Sequence, residues 1–319
     1  MRALQVVLAD GSVVRVRGPQ VKGVAGYDLT GLFVGSEGTL GVVTEGALAL
    51  LPGPGPTLGI TACFADRVDA LAAADDLMDL PTRPSTLEYL DATVVEAIRR
   101  FDPSAALRAD ARAVLIVLTD DPRLGSDDLA DYRRIAGAHR AVDVRTARDA
   151  AELAALLAAR RLLNPAMRAH LGESMNEDVA VSRSRLPRML VELDSIAADH
   201  DVVIASAGHL GDGNLHPVIC FDPADAAQRD RAHRAHAAVL DLAVRLGGTI
   251  TGEHGVGVEK LGGLDRELGE RVRELQTLRA IESVLDKTDD DLFTALSPDE
   301  RDQLQRLLTK IGTGTCGED

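Results

Sequence analysis

The sequence predicts an α+β fold, and three observations carry the prediction. From residue 57 onward, short β-branched runs alternate with amphipathic helical runs, the pattern of a sheet covered by helices. Near the amino terminus, Leu4-Gln5-Val6-Val7-Leu8 and Val13-Val14-Arg15-Val16 flank Ala9-Asp10-Gly11-Ser12, whose Asp-Gly pair signals an antiparallel hairpin. Between the two regions lies Leu51-Pro52-Gly53-Pro54-Gly55-Pro56, a stiff, helix-incompatible link that marks a domain boundary. The expected division is therefore 1–55, 56–285 and a tail of 286–319.

Taken in order, the elements justify that reading. A lone hairpin is marginal in water, so residues 3–16 must join a larger sheet. Next comes Gly35-Ser36-Glu37-Gly38-Thr39-Leu40-Gly41, leading into the β-branched Val42-Val43-Thr44. Glycines so close to a strand suggest a backbone that approaches a ligand. Beyond the link, Thr57–Phe64, Ser85–Leu90 and Ala113–Thr119 read as strands, and Val68–Met78 and Ala92–Arg100 as helices. Their alternation predicts a ferredoxin-like α+β layer. Thr146-Ala147-Arg148-Asp149 has the form of a capping box, opening a helix with Leu153, Leu156 and Leu157 on its apolar stripe and Arg160-Arg161 beside it. Leu186–Ala198 is a helix with Pro187 in its first turn. Asp222-Pro223 open another, with Val239, Leu242, Ala243 and Leu246 at helical spacing and Gly247-Gly248 as its stop.

Composition narrows the classes of function. The chain has 319 residues, 45% of them hydrophobic, which is ample for a real core. Its 35 basic and 50 acidic residues give a net charge of −15, which argues against a nucleic-acid partner. Cys63, Cys220 and Cys316 are far apart and lack CxxC spacing, so neither a disulfide framework nor a cysteine metal site is expected. No run approaches the ~20 apolar residues of a membrane helix. The expected location is cytoplasmic, with peripheral membrane attachment compatible with it.

Two stretches carry the chemistry. Val202–Gly208 and Leu215–Phe221 read as strands joined by Gly211-Asp212-Gly213-Asn214, and a two-residue Asp-Gly turn there would set His209 directly opposite His216. Two imidazoles so placed can grip one metal ion. The stretch Thr249–Gly257, TITGEHGVG, adds Glu253 as a third, carboxylate ligand and His254 as a neighbouring imidazole left to act as a base. A His, His, Glu set with open coordination positions suits catalysis by a divalent ion such as zinc, manganese or iron.

The motifs GYDLTGLFVGSEGTLGVVTE, HLGDGNLH and TGEHGVG stand in the order and at about the separation found in FAD-linked oxidases of the vanillyl-alcohol-oxidase fold. In particular the chain resembles the bacterial glycolate oxidase flavin subunit and the FAD-dependent D-lactate and D-2-hydroxyglutarate dehydrogenases, over roughly residues 1–285. The resemblance implies the end of a PCMH-type FAD-binding domain followed by a ferredoxin-like substrate cap. It also implies that Ser36, Glu37, Gly38, Gly41, Val42 and Val43 touch FAD, and that Arg160 binds the carboxylate of a small 2-hydroxy acid. Leu157 stands where the family often has tryptophan, and Asn176 about where some relatives have lysine.

The expected reaction is oxidation of D-lactate or glycolate to the 2-oxo acid, with electrons passed to a quinone, a cytochrome or an iron-sulfur subunit. In this family the FAD pyrophosphate lies on a glycine-rich loop before the GYDL segment, and the chain begins after the place of that loop. A clipped enzyme and a non-catalytic remnant that keeps cap fold and metal site are both compatible with that. The carboxyl end departs from the family. Ser297-Pro298-Asp299-Glu300 caps a helix bearing Leu304, Leu307, Leu308 and Ile311, a stripe that a second copy in a homodimer could cover. LSPDERDQLQRLLTKI resembles, over a short span, the terminal dimerisation helix of MarR-type repressors.

Overall fold

The computed structural model describes residues 1–276, apart from 24, 37, 51–52, 104, 106, 125–128, 148–149 and 258. The expected tail helix at 286–319 lies outside the described residues. Contacts divide the chain into two units, one of Gly53–Gly269 and the other of Met1–Pro52 with the chain again from Glu270. The division at Pro52 falls inside the Pro-Gly link.

In the first unit, β1 (Ala3–Val7) and β2 (Val13–Val16) form the expected hairpin. It does join a larger sheet: β3 (Val42–Ala47) pairs with the other edge of β1, giving the order β2-β1-β3. A single helical turn, α1 (Thr30–Phe33), precedes β3. The core is small, with Leu4, Val6 and Val16 buried against Leu8, Val14 and Phe33.

The second unit follows the predicted alternation: β4 (Leu58–Phe64), α2 (Arg67–Met78), β5 (Thr86–Leu90), α3 (Ala92–Phe101), β6 (Ala113–Thr119), α4 (Leu129–Ala138) and β7 (Asp143–Ala147). These strands lie in the order β7-β4-β6-β5 with every neighbour antiparallel, which is the ferredoxin-like arrangement. Then come α5 (Ala150–Arg161), α6 (Leu163–Leu171), β8 (Glu173–Asn176), β9 (Val179–Ala180), α7 (Leu186–His200), β10 (Val203–His209), β11 (Asn214–Phe221), α8 (Ala226–Arg245) and α9 (Leu261–Gln276), the last broken at Gly269. The run β10-β11-β8 continues the same sheet, and α7 crosses from β8 to β10 just as α2 crosses from β4 to β5. The sheet is thus two like sets of strands joined where β5 pairs with β10.

Its two faces are covered differently. On one, Ile60, Phe64, Leu87, Tyr89, Leu115 and Ile219 are buried under α2, α4, α7 and α8. On the other, Leu90, Val114, Ile116, Ala205 and Val218 pack against α3 and α6. Each such side chain contributes about 1.5–3 kcal/mol by leaving water. Cys63 and Cys220 are free and buried. Aspartates cap the helices where the sequence needs them: Asp66 accepts from Val68 N at 2.9 Å, and Asp91 from Val94 N at 2.8 Å.

Three local expectations are revised. Thr146 lies in β7, paired with Ile60, where its β-branched side chain suits the edge of the sheet that β4 offers, and positions 148 and 149 of the expected capping box lie outside the described residues. The cap of α8 is Asp225, which accepts from Ala227 N at 2.9 Å and Gln228 N at 3.1 Å, three residues beyond the expected Asp222. The third correction moves the β10–β11 register by two: His209 faces Asn214, and His216 faces Ala207. Leu210 does not pair with Leu215, because its N–H is drawn to Leu87 O on the neighbouring strand at 2.9 Å. Asp212 caps the loop instead, accepting from Asn214 N at 3.2 Å.

Gly213 fastens this loop. It has φ 85, and its carbonyl accepts from Val181 N at 3.0 Å. A Cβ there would lie 1.9 Å from Val181 O. Gly213→Ala is therefore expected to cost at least ~1–3 kcal/mol, since a left-handed backbone and a collision with an immovable carbonyl combine. Urea unfolding of parent and variant measures this, and an unchanged midpoint would count against the loop geometry.

Candidate functional site

The two-residue register shift leaves the histidines on one face, because strand side chains alternate with period two. His216 sits diagonally from His209 rather than opposite, and the rings meet edge to face with centroids 5.2 Å apart. What lies directly opposite His209 is Glu88 of β5. Glu88 Oε1 is 2.7 Å from His209 Nδ1, and Glu88 Oε2 accepts from Arg160 Nε at 2.8 Å.

These contacts assign the imidazole tautomers. A carboxylate accepts, so His209 bonds through Nδ1–H and offers Nε2 as a lone pair. His216 Nδ1 lies 3.3 Å from the Glu177 carbonyl oxygen, which again can only accept, so its Nε2 is also offered. Glu253 Oε1 lies 3.7 Å from His209 Nε2. One ligand atom each from His209, His216 and Glu253 falls within 4.8 Å of the others. Two imidazole nitrogens and a carboxylate at that spacing fit a divalent ion with coordination positions to spare. His254 stacks on His216, with centroids 5.5 Å apart and 18° between the planes.

Asp178 shapes the loop that carries Glu253 and His254. It is fully buried, and its Oδ2 accepts from the backbone N–H of Gly252 at 3.0 Å, of Glu253 at 2.8 Å and of His254 at 2.8 Å. The Thr251 hydroxyl adds a bond of 3.1 Å, and Lys260 Nζ donates to the Asp178 carbonyl at 3.0 Å. Burial pushes this carboxyl up, but the converging donors outweigh it and hold it at about 2. Beside it, Glu177 Oε1 lies 2.5 Å from His236 Nδ1, a buried pair that fixes the start of the Glu177-Asp178 step.

Charge around the histidines is graded. Burial raises the Glu88 carboxyl, but bonds from His209 and Arg160 overcome it and leave it below its ordinary value. The Glu88 bond holds the His209 proton to higher pH than usual, whereas burial, aided by the nearby His209, lowers His216. Arg160, His209, His216 and His254 border a cleft of about 350 Å³ that Asn164 and Asn176 also line.

The residues expected to touch FAD lie in the first unit. Ser36 and Gly38 sit between α1 and β3, and Gly41 leads into the strand; Glu37 lies outside the described residues. At Gly41 a Cβ would come within 2.7 Å of Val7 O, so the backbone lies flush on β1. Val42 and Val43, on opposite faces of β3, are 64% and 48% exposed.

Sequence reasoning missed Glu88, Glu177 and Asp178. Glu88 had a signal: a carboxylate in the apolar strand Thr86–Leu90 cannot be buried without partners. The adjacent acids Glu177-Asp178, just before Val179-Ala180-Val181, had the same one.

The matched segment puts the chain in the class of the FAD-linked oxidases. Residues 60–288 match the family described as "FAD linked oxidases, C-terminal domain", and the chain is a member of it. It is 38% identical over 285 residues to "Glycolate oxidase subunit GlcD" of Bacillus subtilis (strain 168), covering 89% of this chain and 60% of that protein. To "D-lactate dehydrogenase [cytochrome], mitochondrial" of Arabidopsis thaliana it is 32% identical over 289 residues, covering 90% of this chain and 50% of that protein. The chain thus spans 50% and 60% of the length of these two relatives. Among solved structures, p-cresol methylhydroxylase with substrate bound matches with a TM-score of 0.61 at 15% identity, over 89% of this chain and 63% of that one. A 4-ethylphenol oxidase from Gulosibacter chungangensis matches with a TM-score of 0.57 at 18% identity, over 91% and 63%. At such identity the likeness speaks for the fold, which is that of the PCMH-type FAD oxidases.

His209→Ala and His216→Ala should each abolish most metal binding, since each removes one of three protein ligands. Elemental analysis after metal loading and desalting reads this, and parental stoichiometry in either variant would dismiss the site. Below its titration His209 also carries a proton on Nε2, which metal must displace, and the Glu88 bond raises that titration from the usual imidazole value. Apparent affinity should therefore rise with pH up through the His209 titration and fall below it. A pH-independent affinity from weakly acid to alkaline solution would contradict this.

Proposed function

We propose that the chain supplies the substrate-side chemistry of an FAD-dependent oxidation of a D-2-hydroxy acid, D-lactate or glycolate, to the 2-oxo acid. The observation that carries this reading is the convergence of two metal-ready imidazoles, a further imidazole and an arginine on one cleft, with the Glu253 carboxylate 3.7 Å from His209 Nε2. The names of the relatives, a glycolate oxidase subunit and D-lactate dehydrogenases, support it.

Each residue has a definite task. Arg160 holds the substrate carboxylate, for which the planar fork is suited. His209, His216 and Glu253 hold zinc, manganese or iron. The metal, when bound, lowers the pKa of the substrate hydroxyl as a Lewis acid. A ring nitrogen of His254 then takes the hydroxyl proton. Ser36, Glu37, Gly38, Gly41, Val42 and Val43 would touch FAD, which would supply the acceptor for the α-hydrogen as hydride. Asp178 keeps Glu253 and His254 in place throughout, through main-chain bonds that the substitution of either side chain leaves intact.

The reading extends to an electron acceptor of quinone, cytochrome or iron-sulfur type. The relatives named as a "subunit" and as "[cytochrome]" support that class of partner. A homodimer and a cytoplasmic location, with or without peripheral membrane attachment, belong to the same proposal. No helix among the described residues is long and apolar enough to cross a membrane.

Calorimetry on the zinc-loaded chain tests the substrate claim without flavin. D-lactate should bind at least roughly tenfold more tightly than propionate, because only the hydroxy acid offers both oxygens, and the difference should vanish when zinc is removed. Equal binding of the two acids would refute the reading. In the flavin-loaded protein, His254→Asn should lower kcat by ~10²- to 10⁴-fold with metal content preserved. Arg160→Lys should act mainly on KM, since lysine cannot reproduce the fork. Parallel loss of metal and rate would make His254 a ligand, and an unchanged KM would release Arg160 from its role.

A further inference from the structure

Glu88 is 6% exposed and uses both carboxylate oxygens in opposite directions. Oε1 takes the His209 Nδ1–H, and Oε2 takes Arg160 Nε–H from α5, 72 residues away in sequence. The first contact is prescribed by the sheet, because Glu88 and His209 are partners in the β5–β10 register. The second engages Nε, so the terminal Nη1 and Nη2 of Arg160 are not needed for it, although Arg160 is itself about half exposed.

We infer that Glu88 is a positioning residue that ties the anion-holding Arg160 to the metal ligand His209, setting the tautomer of one and the orientation of the other through a single side chain. This rests on the metal and substrate reading above. An imidazole without a partner on Nδ1 exchanges between two tautomers and rotates about its χ2, and only one tautomer in one orientation presents Nε2 to Glu253 and His216. A guanidinium on an exposed helical turn has several rotamers, and pinning Nε selects those that aim the other two nitrogens one way. A neutral amide cannot replace this carboxylate. Glutamine has one accepting oxygen for two N–H donors, and its own NH₂ would face one of them.

The test uses the chain of 319 residues as it stands. Parent, Glu88→Gln and Glu88→Asp are titrated with Zn²⁺ against a chromophoric chelator at mildly alkaline pH. The His209 ring nitrogens and the Arg160 Nε–H are followed by ¹⁵N NMR, with far-UV circular dichroism as the check on folding. Glu88→Gln should bind Zn²⁺ roughly 10- to 100-fold more weakly. His209 should change from the Nδ1–H form to a mixture of tautomers, and the Arg160 Nε–H should lose its bonded shift. Glu88→Asp keeps the charge but is one methylene short of spanning both partners, so it should also lose affinity. Parental Zn²⁺ affinity with a retained Nδ1–H tautomer in Glu88→Gln would overturn the inference, as would parental affinity in Glu88→Asp, because charge alone would then suffice. Should Glu88→Gln fail to fold, Glu88→Asp decides. A parent that binds no Zn²⁺ would defeat the metal reading, and the tautomer of His209 in the variants would still decide the role of Glu88.

Discussion

The pairing of β5 with β10 is the constraint on which the rest of the site depends. It joins two sets of antiparallel strands of like arrangement into one sheet, and its register puts Glu88 across from His209. Every later contact inherits that alignment. The Glu88 bond sets the lone pair of His209, and the two-residue offset of β11 then brings His216 alongside. A slip of one residue at this seam would turn Glu88 toward the helices α2 and α7 and leave a carboxylate among apolar side chains. The burial of Leu87 and Tyr89 on that helix-covered face opposes such a slip. The apolar core thereby specifies the geometry of a polar site on the far side of the sheet.

The second anchor is backbone rather than side chain. Glu253 and His254 belong to a glycine-rich loop with little packing of its own, and such a loop would ordinarily sample many conformations. Three consecutive N–H groups converge on one oxygen of Asp178, and a buried lysine secures the carbonyl of the same residue. Charge-assisted bonds of this kind are about twice as strong as neutral ones. They hold the loop without using the side chains that face the cleft. The neighbouring carbonyl, that of Glu177, meets His216. Two consecutive residues therefore position His216 and the Glu253-His254 pair, which come from two distant stretches of the chain.

How much of this was legible follows from the range of each interaction. The strands β4, β5 and β6 and the helices α2 and α3 could be read because alternation, β-branched runs and aspartate caps act over a few residues. The cluster of His209, His216 and Glu253, with His254 beside it, could be anticipated because these residues sit in short, chemically unusual motifs. Asp178 and Glu88 could not be assigned a partner, because their donors lie 72 to 121 residues away along the chain. The strand pairing of Thr146 was hidden for a related reason, since the open edge of β4 offers a partner that no local pattern contains.

The hairpin shows why an incorrect register still placed His209 and His216 on one face. An Asp-Gly turn and the four-residue loop observed differ by two positions in pairing, an even number, and faces in a sheet are conserved under even shifts. What the shift changes is the partner of His209. In the tight hairpin His209 would have met His216 within its own ladder, and Glu88 would have had no defined place. In the observed loop, Leu210 continues along β5, and the end of β10 is drawn into that ladder with His209 against Glu88. The carboxylate that fixes the His209 ring is thus a consequence of the same backbone bond that displaced the expected turn.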